Sequence, residues 1–321
     1  MSSTTPESTG STGRGAASAL PSGEQWPIRA GGYEATVVEV SGGVRSLSFE
    51  GRPVLDGYAA TDMCDGARCQ LLIPWPNRID GGRYRFAGQD RQLAITEPAK
   101  NCAIHGLVRW ANWSLASHDP DRVTVRYRLH AQPGWPHVVD LEVEHRLAAD
   151  TGLTVTVTAT NVGSSPAPYG NGAHPYLTVG TDRIDDCRLE FPAATHLTAD
   201  DRGIPTGREP VDGTKLDFRA PRQLGNLQID DAFTDLRRDA EGRAWTTLHG
   251  PDGRRTSLWL DESYRWLQIF SGDSLPRQER RRQGLGVEPM SCPPNAFVSG
   301  DGVIVLEPGQ TTVGQWGIVA S

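Results

Sequence analysis

Two histidines and a set of carboxylates are the first positions where this sequence offers chemistry. His105 stands in "CAIHGLVRWANW", before Gly106 and upstream of Trp110 and Trp113; His174 stands in "PYGNGAHPYL", between a Gly-rich approach and Pro175. Pro175 turns His174 away from the αR region and fits badly inside a central strand, so a strand end or bulge is expected there. "QIDDAFTDL" pairs Asp230 and Asp231 before Phe233, and "GLGVEPMSCPPNAF" places Glu288 against Pro289, the setting of an acid at a cavity rim. In "LLIPWPNRIDGGRYRF" two prolines and a Gly-Gly turn enclose Trp75, Asn77 and Arg78: a rigid corner, or one wall of a polar-ligand site. Each motif alone also reads as structure: a turn histidine, a solvated acid pair, a rim ion pair. Together they supply more. An imidazole and a carboxylate do general acid–base work near neutral pH. Aromatic faces with Asp, Asn, Arg and His are the mixture that a neutral carbohydrate needs, its C–H faces stacked and its hydroxyls forked.

The elements that must hold these residues are strands. "RVTVRYRLH" (122–130), "HVVDLEVEHRL" (137–147) and "GLTVTVTATNV" (152–162) alternate apolar with polar residues at period two, the pattern of half-buried antiparallel strands. No long segment carries a 3.6-residue apolar period, and 36 glycines and 23 prolines punctuate the runs. The reading is all-β: a large antiparallel β-sandwich with long loops and little helix. Residues 1–25, rich in Ser, Thr, Gly and Ala, are expected to be a disordered tail, and 26–321 one domain. Loops 60–82, 98–113, 131–137, 163–176, 199–231 and 272–297 are expected to carry nearly all of the polar residues named above.

Composition removes other classes. A net charge of −7 argues against general nucleic-acid or anionic-membrane binding. No apolar run approaches the roughly 18 residues of a membrane span, and the N-terminus lacks the apolar region of a secretory signal. Five cysteines form no C-x-x-C pair, so free thiols, a cytoplasmic location and no zinc site are expected. The arginine cluster "RQERRR" (277–282) raises an anionic ligand, but a solvated loop is the plainer reading.

The motifs also occur in a familiar order. PWPNRI–G–Y–F at 74–86, HG–W–W at 105–113, HPY at 174–176, D–x–x–F at 230–233 and VEP–x–x–x–PP–x–AF at 287–297 span nearly the whole folded part. With them the chain resembles the aldose 1-epimerases, the galactose mutarotase-like proteins. That resemblance implies a large antiparallel sandwich and a small-molecule sugar substrate, with no metal or organic cofactor. It implies Glu288 as the base that takes the anomeric hydroxyl proton and His174 as the acid that protonates the ring oxygen. His105, Arg78 and Asp230 match substrate-binding positions, with His105 also placed to polarise the ring oxygen. Asn77 matches a residue that orients Arg78 or touches the sugar, and Trp135, in "QPGWPH", an aromatic wall. Leu107, Pro175 and Pro289 depart from the best-known galactose mutarotases and mark a divergent branch, some relatives of which act on hexose 6-phosphates. The sugar, its phosphorylation and the oligomeric state stay open. Two other classes stay beside this one: a sandwich that binds or senses sugar without turnover, and a glycoside hydrolase using Asp230 and Glu288 as its carboxylate pair.

Overall fold

The strands Val139–Ala148 and Gly152–Asn161 bury every second residue and pair without interruption from Val139↔Asn161 to Ala148↔Gly152. This is the period-two alternation of the sequence carried directly into a half-buried sheet face. A computed structural model describes residues 19–321, and these two strands lie within a nine-stranded antiparallel sheet. Its order is Ser114–Asp119, Arg122–Leu129, Val139–Ala148, Gly152–Asn161, Thr311–Ala320, Arg255–Leu260, Ala244–His249, Arg188–Glu190 and Arg222–Gln223.

A second sheet, of eight strands, runs in the order Pro205–Pro210, Ala193–Ala199, Asp230–Leu236, Trp266–Phe270, Leu285–Met290, Gly172–Ala173 and Leu71–Leu72, with Tyr176–Leu177 also on Leu285–Met290. A four-stranded meander, Gln25–Ala30, Tyr33–Val38, Val44–Phe49 and Arg52–Pro53, completes the larger elements. One hydrophobic core joins all three sheets, drawing on Ile28 and Leu47 of the meander, Val143 and Val157 of the nine-stranded sheet, and Phe233, Leu267 and Val287 of the eight-stranded one. The sandwich expected from the alternation is the architecture found.

Of the expected tail, residues 1–18 lie outside the described residues. The rest is tied in: Ser22 is buried, its hydroxyl meets the Tyr58 hydroxyl at 3.2 Å, and its carbonyl accepts from the Val40 amide at 3.1 Å. Gln25 opens the first strand. Small polar residues here complete a sheet edge through hydrogen bonds rather than apolar burial, and composition does not register that.

The arginine cluster is neither a free loop nor a free cation patch. Arg280 binds Asp56 at 2.5 Å, and Arg282, nearly inaccessible, binds Asp185 at 2.5 Å and Asp273 at 3.0 Å. The five cysteines are all buried and free. Among the described residues no helix is long and apolar enough to cross a membrane.

Candidate active site

Strand register brings the reactive pair together. Gly172 lies opposite Met290 and Tyr176 opposite Gly286. The same register, interrupted only where Pro175 removes a ladder donor, sets His174 across from Glu288. On its other side Glu288 faces Gln268, which faces Ala232 on the next strand. Continuing Gly172↔Leu72 by one pleat puts Gln70 beside His174, and the His174 amide donates to the Gln70 carbonyl at 3.2 Å. A row of polar side chains, Gln70, His174, Glu288 and Gln268, thus crosses one face of the eight-stranded sheet, and all four are buried. Glu288 sits in mid-strand and Asp230 begins a strand, so the expectation that loops carry them is corrected; His174 falls just past a short strand, at the strand end expected beside Pro175. A sheet face fixes their separation more tightly than loops would.

His174 Nε2 lies 3.2 Å from Glu288 Oε1. Burial drives the Glu288 carboxyl well above its ordinary range, helped by the charge of Asp230 and opposed by Arg78. Burial likewise pulls His174 down to about 3, and Arg109, Arg68 and Arg78 add repulsion. Both shifts disfavour separated charges, so burial favours a neutral imidazole beside a protonated carboxyl at this contact. Among the described residues no side chain or amide meets Glu288 Oε2.

His105 comes from a different element. The two-stranded pairing of Arg78–Asp80 with Cys102–Ile104 extends to Asn77 and His105. The His105 amide donates to the Asn77 carbonyl at 2.9 Å, and the Asn77 amide donates to His105 Nδ1 at 3.1 Å. Both residues are left-handed, with φ of 55° and 61°. Gly106 follows because a Cβ there would lie 2.0 Å from the Ile73 carbonyl oxygen, at φ +70°. Since Nδ1 accepts, the neutral ring carries its proton on Nε2. Burial pushes this imidazole well below its ordinary pKa, with the neighbouring His174 adding to the effect. Donor atoms of His105, His174 and Glu288 lie within 4.8 Å of one another, a spacing that invites a metal. The tautomer argues otherwise: a ligating Nε2 needs a free lone pair, and here it is an N–H suited to a ring or hydroxyl oxygen.

Arg78 is held by a residue the sequence did not flag. Its Nε and Nη2 fork onto Glu97 at 2.6 and 2.9 Å, leaving Nη1 free of that clamp. Burial alone would lower this guanidinium's pKa, but Glu97 reverses the sign. Gly203 approaches so closely that a Cβ would meet Nη1 at 2.7 Å. Arg78 and Gly203 line a cleft with Asn77, Asp230 and Gln268. The Asn77 side chain turns to the Arg78 amide, its Oδ1 accepting at 2.9 Å. Asp230 lies on the Gln268 face and accepts from Gln268 Nε2 at 2.8 Å. Asp231, next in the strand and level with Ile269, also lines this cleft, and burial raises its carboxyl.

Trp135 does not join them. Its ring is fully inaccessible, packed on His137 at 5.2 Å with Nε1 reaching the Pro168 carbonyl at 3.3 Å, and it offers no face to a ligand. The aromatic wall expected there is therefore corrected to a core residue. Gln268 had a legible signal, a lone polar residue in the apolar run "RWLQIF". Glu97 had none, because its partner lies 19 residues away across two turns. A wider groove of about 740 Å³ lies elsewhere, over Arg126, Arg128, Asp140 and Glu142, whose charges are paired with one another.

The chain is thus an antiparallel sandwich with a buried imidazole–carboxyl pair on one face of its eight-stranded sheet. The family model for aldose 1-epimerase matches residues 24–317, and the chain belongs to that family. It is 37% identical over 291 residues to the uncharacterised protein YihR of Escherichia coli K12, covering 90% of this chain and 91% of that one. The fold superposes on the GalM/aldose epimerase homologue of C. elegans with a TM-score of 0.82 at 18% identity, covering 93% and 98% of the two chains. A galactose mutarotase-like protein from Clostridium acetobutylicum gives 0.80 at 19% identity, covering 92% and 94%.

Proposed function

We propose that this protein is a mutarotase that interconverts the α and β anomers of an aldohexose by acid–base ring opening and closure. The observation that carries the reading is the buried 3.2 Å contact between His174 and Glu288. The pair shares one proton, either as carboxylic acid and neutral imidazole or as carboxylate and imidazolium. In the second state the carboxylate takes the proton from O1 as the imidazolium delivers one to the ring oxygen. The C1–O5 bond breaks, O1 becomes the aldehyde oxygen, and the pair is left as carboxylic acid and neutral imidazole. Rotation about C1–C2 presents the other carbonyl face, and the reverse transfers close the ring. The open-chain intermediate therefore coincides with the neutral pair that burial favours, and burial lowers its energy relative to the charged state. Arg78, Asp230 and the Nε2–H of His105 hold the sugar oxygens. Polarimetry with freshly dissolved α-glucose and α-galactose tests the reading. Equilibration faster than the buffer rate, lost in Glu288→Gln and His174→Asn, is the expected result, and equilibration at the buffer rate with every hexose would overturn it.

One observation favours a second reading, a mutarotase for hexoses with an anionic group at C6. Arg68, Arg78, Arg280 and Arg282 each have a carboxylate partner, whereas Arg109 has none within 4.0 Å among the described residues. Arg109 is half-buried, its carbonyl accepts from Gln70 Nε2 at 2.9 Å, and its charge bears on both His105 and His174. C6 is attached next to the ring oxygen, the atom assigned to His174, so a C6 substituent falls at this end of the row. Comparing KM for glucose and glucose 6-phosphate, in wild type and Arg109→Gln, separates the two readings.

A further inference from the structure

His174 lacks the support usual for a proton-transferring imidazole. Among the described residues no other residue hydrogen-bonds its Nδ1, and the side chain that its Nε2 meets is Glu288, the group with which it must exchange protons. Orientation has to come from ring packing. Tyr176 stacks on the imidazole at 4.9 Å with an 18° interplanar angle, while His105 and Phe270 meet its ring at 79° and 89°. Tyr176 is in turn fixed at both ends. Its hydroxyl donates to the Gly66 carbonyl at 2.8 Å, and the guanidinium carbon of Arg68 lies 4.9 Å from its ring centroid.

Arg68 is itself almost inaccessible and gripped by two acids, Asp56 at 3.0 Å and Asp65 at 2.7 Å. The same acids take Arg280 at 2.5 Å and Arg277 at 3.7 Å, which ties the arginine-rich 277–282 segment to this stack. Gly284 leaves room for it and for Asp56: a Cβ there would lie 3.0 Å from that of Tyr176 and 2.6 Å from that of Asp56.

We propose that Tyr176 and Arg68 are positioning residues for the acid: Arg68, anchored by Asp56 and Asp65, holds the Tyr176 ring, and that ring sets the plane of His174 against Glu288. The physical basis is cation–π attraction between the guanidinium and the tyrosine face, followed by π-stacking onto the imidazole. A stack resists tilting of the ring without claiming either nitrogen, so His174 can gain and lose its Nε2 proton without breaking the contact that orients it. The proposal rests on the acid role given to His174 above.

Two variants and two readouts test it. Tyr176→Leu removes the stack and the hydroxyl anchor, and Tyr176→Phe removes the anchor alone. Misplacement of a catalytic group by about 1 Å costs about 10²-fold. Tyr176→Leu is therefore expected to lower kcat by about 10- to 10²-fold with little change in KM, and Tyr176→Phe by no more than about threefold. The second readout needs no substrate: the downfield proton NMR signal of the Glu288–His174 contact, assigned by its absence from His174→Asn, should vanish in Tyr176→Leu and persist in Tyr176→Phe. Wild-type kcat in a folded Tyr176→Leu, equal changes in kcat and KM, or an unaltered downfield signal would each overturn the proposal. If the wild type turns over no sugar, the mutarotase reading fails, and the NMR arm still decides whether the stack positions the ring.

Discussion

Glu288→Gln should do two opposite things at once. It should remove turnover and raise stability, the second effect growing with pH. The amide keeps the shape of the side chain but accepts no proton from O1, and one positioned acid–base group is worth about 10²–10⁴-fold. The expected loss in kcat is therefore at least about 10²-fold, or about 3 kcal/mol of barrier. The stability effect follows from the carboxyl's upward shift, caused first by burial and then by Asp230. A carboxyl that binds its proton more tightly folded than unfolded stabilises the native state fully below its unfolded pKa. That contribution is lost as pH rises through the folded value, by about 1.4 kcal/mol per pH unit over the interval between the two. Glutamine does not titrate, so the difference in Tm, variant minus wild type, should widen by roughly 2 °C per pH unit above about pH 4.5 and then level off. Calorimetry of both proteins from pH 5 to 9, beside polarimetry, measures both effects. A Tm difference that does not change with pH would refute the burial argument. Near-wild-type turnover would refute the base assignment and send the search to Asp230.

Arg78→Ala should raise KM far more than it lowers kcat, because a guanidinium on a hydroxyl remote from C1 holds ground and transition states alike. Glu97→Gln should do the same more weakly by loosening the fork; a kcat collapse at constant KM in either variant would refute this. The buried imidazoles of His105, His137, His145 and His174 all have lowered pKa values, with burial the first cause in each. Rings kept neutral by folding contribute stability above their unfolded pKa near 6.5, lost as pH falls through the folded values, so Tm should drop between about pH 6.5 and 4. A flat Tm across that window contradicts the burial seen. Deleting residues 1–25 should lower Tm by a few degrees, since it removes the contacts of Ser22 with Tyr58 and Val40; an unchanged Tm would show those contacts to be dispensable.

The sandwich was legible because alternation is a local property, and the strands around 122–161 show it without ambiguity. The candidate site residues were legible by type but not by placement. Glu288 next to Pro289 reads as a loop from its neighbours alone, and only its pairing with Gln268 on one side and the His174 register on the other makes it a mid-strand residue. Asp230 was distinguished from Asp231 by its distance from Phe233, and both line the cleft beside Arg78. Trp135 failed because a tryptophan between prolines looks the same whether its ring faces a ligand or the core. Glu97, Arg109 and the Tyr176 stack were out of reach, since each depends on contacts between segments whose separation is set only by the completed fold.

The cross-strand register of His174 and Glu288 has a consequence for how this protein tolerates change. Strand pairing moves only in whole residues, and a one-residue slip turns a side chain to the other face of its sheet. An insertion or deletion inside 172–177 or 285–290 therefore cannot retune the site by degrees; it abolishes it. Segments outside those strands face no such constraint, provided their ends return to the same places. Libraries that vary the substrate should accordingly find live variants through length changes only in segments that carry no site residue, such as 200–202, with the paired strands accepting point substitutions alone. The same division fits an architecture that superposes on the C. elegans homologue at only 18% identity.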